Sequence, residues 1–163
     1  MAFENTEDLK RLILGKTLTS IRLFNVNDNY FAFNPDNLAV IDGAVELIFD
    51  DQKLIIGWNF DAEFFDVSTD TVESLLGEAD YYQIDPSDLP IGLDLMGLNV
   101  ISLEAQWSWY YNLDDELEPI GPKQFVPLEV IVTLDNNSKI QLATTTLKLK
   151  INQFKMLVLM VKG

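Results

Sequence analysis

Residues 106 to 119, QWSWYYNLDDELEP, hold the densest chemistry in this chain: two tryptophans and two tyrosines within five positions, then Asp114, Asp115, Glu116 and Glu118. Aromatic faces stack on sugars, apolar groups or cations, and converging carboxylates hold cations. Period-2 alternation sorts the stretch into two faces. Ile101, Leu103, Ala105, Trp107, Trp109 and Tyr111 share one, and Ser102, Glu104, Gln106, Ser108, Tyr110 and Asn112 the other. The tryptophans continue an apolar face and are read as core, which leaves Tyr110 as the aromatic that meets solvent. The acids that follow lie between Asn112 and the turn residues Pro119, Gly121 and Pro122. They lack the spacing and central glycine of an EF-hand loop, so they read as a solvated loop able to contact a lysine- or arginine-rich partner.

A second cluster, NFDAEFFDVSTD, puts Asp61 and Glu63 on one strand face with Asp66 beyond. Glycoside hydrolysis uses paired carboxylates, but the pair must face across a cleft and one member must be shifted by burial. Two acids on one strand are more simply its wet face. The chain has neither cysteine nor histidine. Thiol nucleophiles, imidazole triads and thiolate or imidazole zinc sites are therefore excluded. The G-x-G-x-x-G, Walker and G-x-S-x-G patterns are absent, and no cofactor or metal is expected.

Charge is segregated along the chain. Residues 23 to 122 carry 21 Asp and Glu against one base, Lys53, whereas 123 to 163 carry six lysines and only Glu129 and Asp135; the net charge is −15. Such a field repels nucleic acid and anionic lipid and attracts basic proteins. The acidic middle is expected to gather into one anionic face. Lys53 sits in a turn, where Asp50 and Asp51 are its expected partners.

These side chains are positioned mostly by strands. NTEDLKRLILG has a helix's grammar: Asn5 or Thr6 as cap, Glu7 and Asp8 in the first turn, Leu9, Leu12 and Ile13 inward, and Gly15 as stop. STDTVESLLG repeats it, with Thr69 or Asp70 as cap, Val72, Leu75 and Leu76 inward, and Gly77 as stop; each helix is read as two to three turns. GAVELIFDDQKLIIGWNF is a hairpin turning at Asp50 to Lys53, and PLEVIVTLDNNSKIQLAT one turning at Asp135 to Ser138, with Leu128, Val130, Val132 and Leu134 inward. The strand before each hairpin repeats as well: LILGKTLTSIRL at 12 to 23 lies over DLMGLNVISLEA at 94 to 105, pairing Gly15 with Gly97 and Ser20 with Ser102. Units 12–66 and 94–150 can thus be an internal duplication, joined by a segment in which Pro86 and Pro90 forbid regular structure. The C-terminal LKLKINQFKMLVLMVK reads as a strand apolar on both faces at its far end. It must be central in a sheet or covered, and a homodimer through it is one way to cover it.

The expected fold is a single α+β domain over 1–163, predominantly antiparallel β, a sandwich or incomplete barrel of about 8–10 strands with two short helices. The longest apolar run, MLVLMV, falls far short of the roughly 20 residues that cross a bilayer, and MAFENTEDLK lacks a basic-then-apolar leader, so a cytoplasmic, membrane-free protein is expected. The expected function is non-catalytic binding of a basic protein partner, in the manner of an inhibitor or immunity protein, through Tyr110, Asp114, Asp115, Glu116 and Glu118. The alternatives are a small-ligand or carbohydrate module built on Trp107, Trp109 and Tyr110, and a carboxylate hydrolase built on Asp61, Glu63 or Asp66.

Overall fold

The computed structural model describes residues 5–26, 31–33, 38–59, 64–87, 92–149 and 152–162. Helix α1 (Thr6–Ile13) leads into β1 (Leu18–Asn25), β2 (Phe31–Phe33), β3 (Leu38–Ile41), β4 (Gly43–Phe49), β5 (Lys53–Asn59) and β6 (Phe64–Ser68). Helix α2 (Glu73–Leu76), β7 (Tyr82–Gln83) and a 3-10 turn at Leu93–Leu95 precede β8 (Val100–Leu113), β9 (Pro119–Leu134), β10 (Lys139–Leu149) and β11 (Asn152–Lys162). The strands form two antiparallel sheets, ordered β6-β5-β4-β1-β7 and β2-β3-β11-β10-β9-β8. The architecture is mainly antiparallel β with two short helices.

Alternation along the strands explains the packing. Leu23, Val45, Leu47, Leu54 and Ile56 of the first sheet share one buried cluster with Leu103, Val130, Val132, Ile140, Leu142 and Leu159 of the second, and Leu9 and Ile13 of α1 join it. Strand β4 is also buried on its other face. Ala44 there, with Ile55 of β5, packs under Val72, Leu75 and Leu76 around α2. The chain between β1 and β4 leaves the first sheet, and its β3 pairs with β11 in the second, which ties the two layers together.

Both helix signals are present, with one correction. Asn5 caps α1, its side chain accepting from the Asp8 amide at 3.1 Å, and Gly15 follows at φ 77°. Helix α2 is a single turn. Its N-cap position is Val72 rather than Thr69 or Asp70, and no side chain caps it.

The starts of β1 and β8 are laid out alike. Gly15 N donates to Val100 O at 2.9 Å and Gly97 N to Leu18 O at 2.8 Å, while Leu18 N donates to Leu98 O and Val100 N to Lys16 O. The register against the next strand skips one residue in each case, between Leu18 and Ser20 and between Val100 and Ser102. The turn aspartates match too: Asp50 Oδ2 accepts from Thr17 N at 3.1 Å, and Asp135 Oδ2 accepts from Asn99 Nδ2 at 3.1 Å. Thr17 Oγ1 donates to Asn99 Oδ1 at 2.7 Å, where the segments leading into β1 and β8 meet.

These bulges correct two inward assignments. Ile101 is skipped at the start of β8 and is exposed. Leu128 is skipped where Gln106 opposes Glu129 and Trp107 opposes Pro127, and it too is exposed. One extra residue in a strand shifts the alternation beyond it. The C-terminal run is two strands, not one: β10 ends at Leu149, and β11 returns antiparallel from Asn152. Leu157–Met160 have β10 on one side and β3 on the other, so this apolar stretch is central in its sheet.

Candidate functional site

Strands β8 and β9 part from β10, which continues to Leu149 with β11. β10 pairs with β9 only over Glu129 to Thr133, whereas β8 follows β9 to Asn112 opposite Ile120 and Leu113 opposite Pro119. The residues from Trp107 onward therefore form a two-stranded arm closed by Asp114–Glu118. Sequence alternation placed this segment on a strand but left the acidic stretch as a loop. It is the turn of a third hairpin, one whose ladder signal is hidden by Pro119, Gly121 and Pro122 in the returning strand.

At the base of the arm, Trp107 is half-buried against the core, and its Nε1 donates to Thr6 Oγ1 at 3.3 Å. Thr6 Oγ1 in turn donates to the Ala105 carbonyl at 3.4 Å. Trp107 packs against the core, on the side that alternation implies. Trp109 and Tyr111 share its face but lie beyond the reach of the opposing sheet, and they are 54% and 39% exposed. Their assignment to the core is corrected: a face is buried only where another layer stands over it. The two rings meet edge to face at 5.8 Å, and Lys123 Nζ stacks 3.9 Å from the Trp109 centroid. Leu113, Leu117 and Ile120 extend the exposed apolar surface toward the tip. The Tyr110 backbone opposes Gln124, and its side chain lies outside the described part of the structure.

The acidic tip is brought together as one turn, but its members differ in role. Asp114 Oδ1 accepts from the amides of Glu116 and Glu118, each at 2.9 Å, and Asp114 N donates to Glu118 O at 3.0 Å. Leu117 takes a left-handed φ of 65° to close the turn. Asp114 is thus a positioning residue, and Asp115, Glu116 and Glu118 carry the outward charge. All four are exposed, and among the described residues no lysine or arginine forms an ion pair with them.

The acidic middle is divided rather than gathered. Asp70, Glu73, Glu78 and Asp80 surround α2 on the outer side of the first sheet, while the tip carboxylates end a hairpin of the second. The ion pairs among the described residues use Lys10, Arg11, Lys16, Arg22 and Lys53, so no tail lysine of the described part neutralises either group. The partners expected for Lys53 are also corrected. It approaches the buried Glu46 at 3.6 Å, beside Arg22 at 3.5 Å, while Asp51 pairs with Lys16 at 2.6 Å. Lys53 belongs to β5 and projects across the sheet rather than back into the turn. The Lys16 hydrogen bond holds the Asp51 carboxyl below its ordinary pKa. Near α2, Tyr81 donates to Glu73, which lowers the Glu73 pKa and raises that of the phenol.

Of the carboxylates considered for hydrolysis, Asp61 and Glu63 lie outside the described residues. Asp66 is half-buried and accepts from Val67 N at 2.8 Å and Asn59 Nδ2 at 3.4 Å. A cavity of about 360 Å³ lies at the β4–β5 turn, but its Asp50 and Asp51 are engaged by Thr17 and Lys16. Among the described residues, no helix is long and apolar enough to cross a membrane, and no three acidic side chains are grouped to hold a metal ion. No family model, curated protein or solved structure matches the chain.

Proposed function

We propose that this protein is a non-catalytic acidic binding domain of inhibitor or immunity type that masks a basic protein partner with the tip of the β8–β9 arm. One observation carries the reading: three outward carboxylates, Asp115, Glu116 and Glu118, are held at the end of a projecting hairpin by a turn whose own hydrogen bonds are met by Asp114. A preformed, unneutralised anionic tip on a chain of net charge −15 attracts and orients a cationic surface before contact. Tyr110 is a candidate anchor beside it.

The test is binding of a lysine-rich 20-residue peptide by the wild-type protein and by an Asp115→Asn, Glu116→Gln, Glu118→Gln variant. Raising salt from 0.01 to 0.15 M shortens the screening length from about 30 to about 8 Å. Wild-type affinity should fall steeply across that range. The variant, which loses three surface charges worth roughly 0.2–1 kcal/mol each, should bind about tenfold more weakly at low salt and respond less to added salt. Equal binding by the two proteins at low salt would reject the tip as the contact.

The exposure of Trp109 beside Tyr111 favours a second reading, a small-ligand or carbohydrate module. Quenching of tryptophan fluorescence by a sugar, independent of salt and lost in Trp109→Ala, is its signature.

A further inference from the structure

Among the described residues β8 is the terminal strand of the second sheet, and its single strand neighbour is β9. Among the described residues its outer edge is covered only at the base. There α1 packs against it and Thr6 Oγ1 donates to the Ala105 carbonyl, which therefore points away from β9. Main-chain groups of alternate residues in an antiparallel strand point to the same side. The N–H and C=O groups of Trp107 and Trp109 follow Ala105 outward, Tyr111 lies at the register shift between Tyr110 and Asn112, and among the described residues no second strand pairs with this edge.

An open edge is a hazard that proteins usually blunt with charge, proline or very short strands. This one has none of those protections. Residues 107 to 113, WSWYYNL, are uncharged, free of proline and rich in aromatic strand formers, and at roughly 3.3 Å per residue they offer about 23 Å of edge. Charge surrounds the edge instead, with Glu104 before it and Asp115, Glu116 and Glu118 after it. Two copies of a chain carrying −15 repel one another, which disfavours self-pairing and favours a cationic strand. The Trp109 ring already accepts a cation, Lys123, on its face.

We propose that the outer edge of β8 from Trp107 to Leu113 takes an extended basic segment of a partner protein as an added strand. This rests on the acidic tip as the contact for a basic partner and specifies how that partner is held: main-chain bonds along the edge, with lysine or arginine side chains directed to Asp115, Glu116 and Glu118.

The probes are a ten-residue peptide of alternating lysine and valine and a twin of equal charge, N-methylated at every residue so that neither of its edges can complete the ladder. Affinities are measured alongside amide hydrogen exchange in the protein. The parent peptide should slow exchange at Trp107 and Trp109, and the twin should bind about tenfold more weakly without slowing it. If both peptides bind alike and exchange at the edge is unchanged, strand addition is rejected. The acidic-tip reading then survives only if the Asp115→Asn, Glu116→Gln, Glu118→Gln variant weakens both peptides. If that variant binds both as the wild type does, while the twin remains weaker, the edge accepts strands regardless of charge and the basic partner is rejected. Slowed exchange that grows with protein concentration in the absence of peptide would make a second copy the occupant and overturn the proposal.

Discussion

Gly43→Ala should destabilise this protein, although a rule based on chain entropy gives the opposite sign. Replacing a strand glycine by alanine at an unstrained position typically stabilises by about 0.4–1 kcal/mol. Here the added methyl group would overlap the Phe24 carbonyl oxygen and lie 2.9 Å from its carbonyl carbon and 3.2 Å from Asn25 Cα. All of these are backbone atoms of the neighbouring strand, so no rotamer change relieves the clash. β4 must move away from β1 where Gly43 opposes Asn25. Two hydrogen bonds depend on that approach: Asp42 N to Asn25 Oδ1 at 2.9 Å, with Asn25 fully buried, and Val26 N to Asp42 O at 2.7 Å. At about 1 kcal/mol each, with strain added, the cost comes to roughly 2–4 kcal/mol. In urea, with a slope near 2 kcal/mol/M, the midpoint should fall by about 1–2 M, and Tm by about 5–15 °C. An unchanged or raised midpoint at constant slope would refute the close approach of β1 and β4. Gly15→Ala is a useful contrast, since a side chain there meets open space and costs only the left-handed φ, about 1–2 kcal/mol.

Leu103→Ala, at a fully buried position of β8, should cost about 2–5 kcal/mol in denaturant unfolding; a loss below 1 kcal/mol would mean that the two sheets do not share a core there. Trp109→Ala should change stability by less than about 0.5 kcal/mol while Trp107→Ala lowers it measurably, because only the inner ring packs against the core; equal effects would place both rings in one environment. The folded Asp51 carboxyl titrates below its ordinary value of 3.8, so the stability it contributes is present above that pH and lost as pH falls through the lowered folded value. Lys16→Met should return Asp51 to the ordinary range in a carboxyl-carbon NMR titration, and an unmoved Asp51 would rule out the pair. Tyr81→Phe should raise the Glu73 pKa in the same experiment, since the phenol is the largest cause of its lowering.

Helix α1 was legible because its signals are local: a cap, a first-turn acid pair, an inward triplet and a glycine stop lie within eleven residues. The β4–β5 and β9–β10 turns were legible for the same reason. The acidic stretch was recognised, but its form was not. A hairpin whose returning strand carries three prolines and a glycine gives no clean alternation, so the turn at Asp114–Glu118 and the positioning role of Asp114 stayed hidden. The exposure of Leu128 was equally invisible, because a bulge depends on how two strands register and not on either one alone.

By itself the sequence determined that this chain builds antiparallel sheets, lacks thiol and imidazole chemistry and carries a large negative charge, because composition and period-2 alternation act within a few neighbouring residues. Which apolar face stays wet was decided only by tertiary structure. Trp107 and Trp109 lie on the same side of the same strand, two residues apart, and the opposing layer ends between them. Burial is a property of what stands opposite, and that is set by contacts between residues far apart in the chain.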